Sequence, residues 1–304
     1  NNGQGTFNNV TNLKAYGLNE LGRVTDAEWV NLTGDARKEL VIVGTWMSPV
    51  VFAYNGGYLE KVSSSLDDVS GWWDDVLSSD FNNDGTNDLV FGNKGLNSIY
   101  TGSNDSPARM YINDFDNNGT LDQIHTREIN GFDKPIHVKN ELISQLTYLK
   151  KTNLKFSEYA KKDISSLFSR DNVNESIIKE VNETKSIIAL NQGDLNFALS
   201  PLPSEVQWSS VNTGIVDDFN ADGNIDMILA GGENNLKPQF AKLDSGFASL
   251  LLGNGDGTFK FITVEKSGLQ IKGSVRSLEK VNMGDSLGYL FGINDENPIL
   301  YAPK

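Results

Sequence analysis

The stretch that decides the fold of this chain reads Asp80-Phe81-Asn82-Asn83-Asp84-Gly85-Thr86-Asn87-Asp88, and its pattern occurs three times. The other copies are Asp114-Phe115-Asp116-Asn117-Asn118-Gly119-Thr120-Leu121-Asp122 and Asp218-Phe219-Asn220-Ala221-Asp222-Gly223-Asn224-Ile225-Asp226. Each copy has Asp or Asn at positions 1, 3 and 5, aspartate at position 9, phenylalanine at position 2 and glycine at position 6. One such loop is a weak signal, whereas three copies are a strong one.

The composition of the loops is typical of a calcium site. Calcium takes about 6–8 oxygen ligands, which a tight loop supplies from alternate side chains and a backbone carbonyl at position 7. Glycine at position 6 permits the positive φ that turns the chain around an ion. The sequence therefore predicts about three Ca²⁺ sites. Their candidate ligands are Asp80, Asn82, Asp84, Thr86 and Asp88; Asp114, Asp116, Asn118, Thr120 and Asp122; and Asp218, Asn220, Asp222, Asn224 and Asp226.

Two alternatives to these calcium loops can be weighed. The sequence does not exclude a hairpin turn rich in Asp, Asn and Gly that binds no ion. Such a turn, however, needs only one or two of these residues. An EF-hand is excluded, because it ends in a bidentate glutamate at position 12 and lies between helices. Position 12 is Phe91, His125 or Leu229 here. The apolar runs around Phe91 and Leu229 predict a β-strand after the loop.

Composition limits the classes of partner. The 304 residues include 26 basic and 40 acidic ones, for a net charge of −14. An acidic chain without a basic stripe argues against nucleic acid as a partner, because phosphate binding needs clustered Lys and Arg. The chain has no cysteine, which excludes disulfides and thiolate metal sites. No stretch approaches the roughly 18 apolar residues of a transmembrane segment, and none is expected.

A second motif alternates with the loops. The turn Asn254-Gly-Asp-Gly-Thr-Phe259 resembles residues 2–7 and, more loosely, residues 191–197. Degenerate copies of the ligand loop align at residues 31–39 and 281–289. The copy around Asp35 has lost the glycine at position 6, and the sequence does not decide whether it binds calcium weakly or not at all. The copy around Asp285 has lost most ligands, and we expect it to bind nothing.

These repeats resemble the FG-GAP (VCBS-type) repeats, and the bacterial ASPIC/UnbV and cartilage-acidic-protein group most closely. The residues that carry the closer likeness are Gly71-Trp72-Trp73, Gly92-Asn93-Lys94-Gly95-Leu96-Asn97, and Pro201-Leu202-Pro203 with Gln207. The resemblance implies an all-β fold, an integrin-like β-propeller with one blade per repeat and calcium in a blade loop. Residues 1–304 are then expected to form one propeller domain. The few blades indicate a small or incomplete ring, and we favour a piece of a longer chain, because a propeller must hide its terminal strand edges.

One segment interrupts the repeat. Asp114 and Asp218 are 104 positions apart, whereas Asp80 and Asp114 are 34 apart. Within the gap, Leu142, Leu146 and Leu149 have helical spacing. The sequence therefore predicts an α-helical insertion over residues 138–185.

Functional expectations beyond calcium rest mainly on the resemblance. It implies a non-catalytic binding or assembly module that is secreted or associated with the cell surface or outer membrane. Its expected partners are other envelope or surface proteins; the alternatives are surface glycans or a calcium-dependent polysaccharide lyase. His125 and His137 are the only histidines, and no nucleophile motif accompanies them. Trp72 and Trp73 are candidate partner contacts, because adjacent strand residues face opposite sides and one ring could lie outside the core.

Overall fold

The structure is a computed structural model that describes residues 3–234, 236–237, 240, 243, 246–284 and 286–303. Its regular structure is mostly β-strand in several antiparallel sheets, with a few short helices, which confirms the predicted all-β class. The chain divides into two compact units, one of Asn1–Asn97 with Lys185–Lys304 and one of Ser98–Thr184. In the part of the chain described, no helix has the length and apolar character needed to cross a membrane.

The described residues of the first unit form four antiparallel sheets, with strands numbered in chain order. The first sheet contains β1 (Arg23–Val30), β2 (Glu39–Met47), β3 (Val50–Asn55) and β4 (Tyr58–Val62), with β5 (Gly71–Trp72) paired to β2. The second has the order β13-β12-β7-β6, from β6 (Asp75–Ser79), β7 (Asp88–Gly92), β12 (Ile187–Asn191) and β13 (Phe197–Pro201). The third contains β14 (Val211–Asp217), β15 (Asp226–Gly231), β16 (Ser249–Gly253) and β17 (Phe259–Ile262). The fourth contains β18 (Val275–Asn282), β19 (Leu287–Ile293) and β20 (Ile299–Tyr301).

The described residues of the first unit also include short helical turns. They are α1 (Thr11–Lys14), α6 (Val264–Ser267) and 3₁₀ turns at Leu18–Glu20, Ser65–Asp68 and Val206–Trp208. The sheets pack on one another through buried apolar side chains, among which Trp73, Leu89 and Phe91 are fully buried in one cluster. The first strands of successive sheets lie beside one another, since β1 contacts β6, β6 contacts β14 and β14 contacts β18.

The second unit has a sheet and a core of its own. Its sheet has the order β10-β9-β8-β11, from β8 (Ala108–Asn113), β9 (Asp122–Ile129), β10 (Phe132–Pro135) and β11 (Ile177–Val181). Its helices are α2 (Lys139–Gln145), α3 (Phe156–Tyr159), α4 (Ile164–Leu167) and α5 (Arg170–Asn174), with a 3₁₀ turn at Thr147–Lys151. Leu142, Leu146 and Leu149 are buried in this core beside Phe115 and Phe168.

The position of this unit in the chain differs from the expected helical insertion. Strand β7 pairs with β12, so everything between them is inserted into the second sheet. The inserted unit is Ser98–Thr184, longer than the helical segment 138–185 expected from the sequence, and it contains the second ligand loop. The last part of that segment is the strand β11, which pairs with β8.

A glycine at the end of the second strand lets two backbones approach closely. A Cβ on Gly231 would lie 1.9 Å from the carbonyl oxygen of Ser210. The register between β14 and β15 shifts between Val211 and Thr213, which marks a bulge in the first strand of the sheet. Gly44 of β2 has the same relation to β1 in the first sheet. A larger residue would clash with the bulged backbone, which explains the glycine at both of these positions.

Carboxyl groups meet between β1 and β6. Asp26 accepts a hydrogen bond from the backbone N–H of Val76 at 3.0 Å, and Glu28 accepts one from the hydroxyl of Ser78 at 2.6 Å. Asp75 is only 9% exposed, and its Oδ2 has no hydrogen-bond partner. Burial, and then the charge of Asp26, raises the pKa of Asp75 well above its ordinary value. Burial is also the main cause of the raised pKa of Glu28.

We expect Asp75→Asn to stabilise the protein at pH 8 and to weaken the pH dependence of its stability. The folded chain holds the Asp75 proton more strongly than the unfolded chain, whose pKa lies near 3.8. The resulting stability is full below that pH and is lost as the pH rises through the folded pKa. At pH 8 the buried carboxylate has lost this stability, and the uncharged amide of asparagine avoids the loss.

Denaturant unfolding at pH 5 and pH 8 measures this effect. Asp105→Asn, at an exposed aspartate, is the matched control and should leave the pH dependence unchanged. A variant at Asp75 that is less stable than the parent at pH 8 would contradict the prediction.

Candidate metal centres

The three predicted loops occupy equivalent places in three sheets. Each joins the first strand of its sheet to the second: β6 to β7, β8 to β9, and β14 to β15. Their backbones share two residues with positive φ. At position 4 the angle is 58° for Asn83, Asn117 and Ala221, and at position 6 it is 88°, 85° and 89° for Gly85, Gly119 and Gly223. The loops therefore have one conformation, as the common spacing predicts.

The aspartate at position 1 accepts hydrogen bonds from two successive backbone N–H groups. Asp80 accepts from Asp84 at 3.1 Å and from Gly85 at 2.8 Å. The second loop repeats these bonds at 2.9 and 2.8 Å, and the third at 3.1 and 2.9 Å. The carboxylate thereby fixes the turn at the glycine.

The side chain at position 5 orients the residue at position 7. In every loop its oxygen accepts the backbone N–H of position 7 at 2.8 Å. The hydroxyl of Thr86 also donates to Asp84, at 2.6 Å, and Thr120 donates likewise to Asn118. These bonds from Thr86 lower the pKa of Asp84. The hydroxyls at position 7 are thus directed at the loop itself, which leaves the backbone carbonyl as the oxygen that position 7 can offer an ion.

The aspartate at position 9 is buried and joins the loop to the sheet. Asp88 accepts the backbone N–H of Phe81 at 3.0 Å with one oxygen and that of Asn191, at the end of β12, at 2.8 Å with the other. Burial raises the pKa of Asp88 to about 6. Asp226 makes the equivalent pair of bonds with Phe219 and Gly253, at 3.0 and 2.9 Å.

In the second loop, the second hydrogen bond to the position-9 aspartate comes from a side chain and not from a backbone N–H. Asp122 accepts the backbone N–H of Phe115 at 3.2 Å and the side-chain amide of Gln145, the last residue of α2, at 2.9 Å. Gln145 was not among the residues singled out from the sequence. The sequence of the helical segment does not predict which side chain contacts the loop, because this depends on how the helix packs.

The residues of the second loop fit a hard cation. Asp114, Asp116 and Asp122 can each bring a carboxylate oxygen within 4.8 Å of the others. Oδ1 of Asp116 is buried without a hydrogen-bond partner, and such an orphaned oxygen is costly unless a cation or water binds it. In the first and third loops position 3 is asparagine, whose amide donates to the position-5 aspartate at 2.9 Å. These loops offer the same kind of oxygen donors on the same backbone.

The degenerate loop between β1 and β2 contains its own cation. The guanidinium of Arg37 lies against the carboxylate of Asp35, with Nη2 at 3.0 Å and Nε at 3.2 Å. Glu39 takes the place of the position-9 aspartate and accepts the backbone N–H of Leu32 at 2.8 Å. Because Arg37 already supplies the positive charge, we expect no metal here. An arginine at position 7 of a ligand loop was the sequence signal for this, and it was overlooked. Asp285 of the other degenerate loop lies outside the described residues.

The proposed contact role of Trp72 and Trp73 needs correction. Their exposed fractions are 4% and 0%. Trp72 packs edge-on against Trp46 with ring centroids 5.1 Å apart, and Trp73 lies 5.5 Å from Phe91. The strand β5 ends at Trp72, so the alternation of faces along a strand does not extend to Trp73. Both rings belong to the core.

The two histidines lie together in the second unit. Their ring centroids are 5.5 Å apart, and burial, with a smaller effect of His137, lowers the pKa of His125 to about 4. The lowered pKa indicates that His125 is a neutral imidazole, and both rings are half-buried.

Comparison with known proteins does not assign the chain to a family. No protein-family model matches the chain, and no curated protein matches it either.

We expect Ala221→Asn to stabilise the protein by about 0.5–1 kcal/mol. Ala221 has a φ of 58°, a left-handed conformation that costs alanine more than asparagine. The equivalent residues of the other loops, Asn83 and Asn117, are asparagines with the same angle. Denaturant unfolding in calcium-containing buffer measures the change. Ala198→Asn, at an exposed strand position, is the control and should give no gain; an equal gain there would show that the backbone angle is not the cause.

Proposed function

We propose that this chain is a calcium-stabilised β-propeller of the FG-GAP/VCBS type that acts outside the cytoplasm as a non-catalytic binding module. The observation that carries the proposal is the repetition of one loop conformation, with one hydrogen-bond pattern around its carboxylates, at the same turn of three sheets. A turn that served only to reverse the chain would not need four oxygen-bearing side chains at fixed spacing.

The arrangement of sheets supports a propeller. In the first unit, each sheet is a run of antiparallel strands, and neighbouring sheets meet through their first strands in chain order. Blades of a propeller meet through their first strands in this way around a central axis. In the first unit the first and third ligand loops follow those first strands, which would place them at one end of the blades.

Calcium would supply the positive charge that these acidic loops lack. Its ligands in each loop would be the side chains at positions 1, 3, 5 and 9 and the carbonyl oxygen at position 7. Because the position-9 aspartates are also bonded to the neighbouring strands, an ion held there stabilises the sheet as well as the loop. Loops of extracellular modules often bind calcium at only about 10⁻⁴–10⁻³ M, which favours a location outside the cytoplasm.

The proposed partner is another protein of the cell envelope or surface. Large aromatic side chains mark protein interfaces when they are exposed. Trp29 and Tyr54 are 47% and 51% exposed. They replace Trp72 and Trp73 as the aromatic residues to test for partner contact.

We expect removal of calcium to lower the melting temperature by several degrees. A ligand at about 100 times its dissociation constant adds about 2.7 kcal/mol for each independent site. Thermal unfolding in calcium and in EGTA measures the shift, and an unchanged melting temperature would contradict the calcium assignment.

Calorimetric titration counts the ions. We expect about three per chain, with Asp80→Asn, Asp114→Asn and Asp218→Asn each losing one, since each removes a position-1 carboxylate. The matched control is Asp35→Asn in the loop that contains Arg37, which should lose none. A fourth ion that disappears in the Asp35→Asn variant would show that Arg37 does not replace the metal.

Affinity capture from the native cell envelope tests the binding role. The tagged chain is expected to retain a stoichiometric protein in calcium and to release it in EGTA. Loss of that protein in Trp29→Ala or Tyr54→Ala would locate the contact. Capture of no protein in either buffer would overturn the protein partner while leaving the calcium sites unaffected.

A further inference from the structure

A cavity of about 420 Å³ lies beside the second ligand loop, entirely within the second unit. One wall is formed by the loop itself, through Phe115 and Asp116. The helical segment provides a second part of the lining, through Thr147, Tyr148 and Phe168. A cavity of this volume is within the range of sites that bind small molecules, about 300–1,000 Å³.

The walls combine aromatic rings with small polar side chains. Phe115 and Phe168 are buried and pack together with ring centroids 4.3 Å apart. Tyr148 is 41% exposed and presents an aromatic ring at the rim. Thr147 and Asn172 add a hydroxyl and an amide. An apolar ring face next to hydrogen-bonding groups matches the surface of a sugar, which has apolar C–H faces and a rim of hydroxyl groups.

The charges around the cavity disfavour an anionic ligand. None of the residues that line it, all of them described, is lysine, arginine or histidine. The trio Asp114, Asp116 and Asp122 carries three negative charges, which one divalent cation neutralises only in part. A carboxylate or phosphate ligand would therefore find no cationic partner in the wall and a net negative charge beside it.

Asp116 connects the cavity to the ion site. It belongs to the acidic trio and also lines the cavity. Both neighbours of Asp116 in the loop, Phe115 and Asn117, also line the cavity, so the wall has its shape only when the loop does. An ion that fixes the loop would also fix this wall.

We propose that this cavity binds a neutral sugar residue in a calcium-dependent manner, with the Tyr148 ring stacked on the sugar and Thr147 and Asn172 hydrogen-bonded to its hydroxyls. The inference rests on the calcium-binding part of the proposed function and assigns a ligand class to the second loop. The helical segment thereby gains a role that its sequence did not reveal, because Tyr148 and Phe168 meet only in the folded unit.

Ligand-observed saturation-transfer NMR of the full chain tests the proposal. The probes are the methyl glycosides of glucose, galactose, mannose, fucose and N-acetylglucosamine, with glucuronate and galacturonate as charged counterparts. We expect saturable binding of at least one neutral glycoside in calcium, and at least a tenfold loss of affinity in EGTA. Tyr148→Ala, which removes the stacking ring, and Thr147→Trp, which fills the rim at an exposed position, should each cause a similar loss. Tyr16→Ala, at an exposed tyrosine of the first unit, is the matched control and should bind normally.

The outcomes separate the two proposals. Absence of neutral glycoside binding in a chain that titrates with about three calcium ions overturns the sugar site and leaves the calcium module intact. Binding of uronates alone overturns the neutral ligand, and binding that survives both Tyr148→Ala and Thr147→Trp overturns the cavity as its location. Absence of calcium binding in the same titration overturns the calcium sites themselves.

Discussion

The hydrogen bond from the backbone N–H of position 2 to the buried acid at position 9 is the interaction on which the repeated architecture depends. It occurs at Asp88, Asp122 and Asp226, and again at Glu39 in the loop that has lost its glycine. A carboxylate taken out of water must be hydrogen-bonded. The backbone N–H of position 2 is one partner of the buried carboxylate, and the same hydrogen bond closes the loop. In the three full loops the second oxygen reaches outside the loop, to a neighbouring strand or helix. In the degenerate loop, the second oxygen of Glu39 instead accepts the hydroxyl of Thr33 within the same loop. In the full loops, the side chain at position 9 thus connects the turn to the adjoining strand or helix and to the other oxygen-bearing side chains of the loop.

The loops differ in whether they contain a basic residue, although all four keep that hydrogen bond. In the first sheet the loop contains Arg37, and its guanidinium lies against Asp35. In the three full loops the same place is occupied by a threonine or an asparagine, and positions 1 to 9 contain no basic residue. This difference accounts for part of the net charge of −14, because each full loop contains three aspartates and no basic residue.

Local features of the fold were predictable from sequence because spacing alone determines them. The positive φ at position 6, the strand after each loop and the all-β class all follow from residues within a few positions of one another. The placement of the second loop was not predictable. Its distance of 34 positions from the first suggested consecutive repeats of one series. Instead β7 pairs with β12 across the whole inserted unit, and β8 pairs with β11 within it. Such long-range pairing has no local signal. The burial of Trp72 and Trp73 was missed for a related reason, since the strand they were assigned to ends after the first of them.

The second loop differs from the others in where its charge lies rather than in how much it has. Every full loop has three aspartates among positions 1, 3, 5 and 9. In the first and third loops the third aspartate is at position 5, where Asp84 and Asp222 accept hydrogen bonds from the neighbouring loop residues. In the second loop it is Asp116 at position 3, with an oxygen that has no partner and a place in the cavity wall. In the first and third loops the aspartates at positions 1 and 5 accept hydrogen bonds from within the loop, and the ion proposed there would stabilise the loop and its sheet. In the second loop one carboxylate is moved by two positions, so that the proposed ion site adjoins the cavity in which we place the sugar.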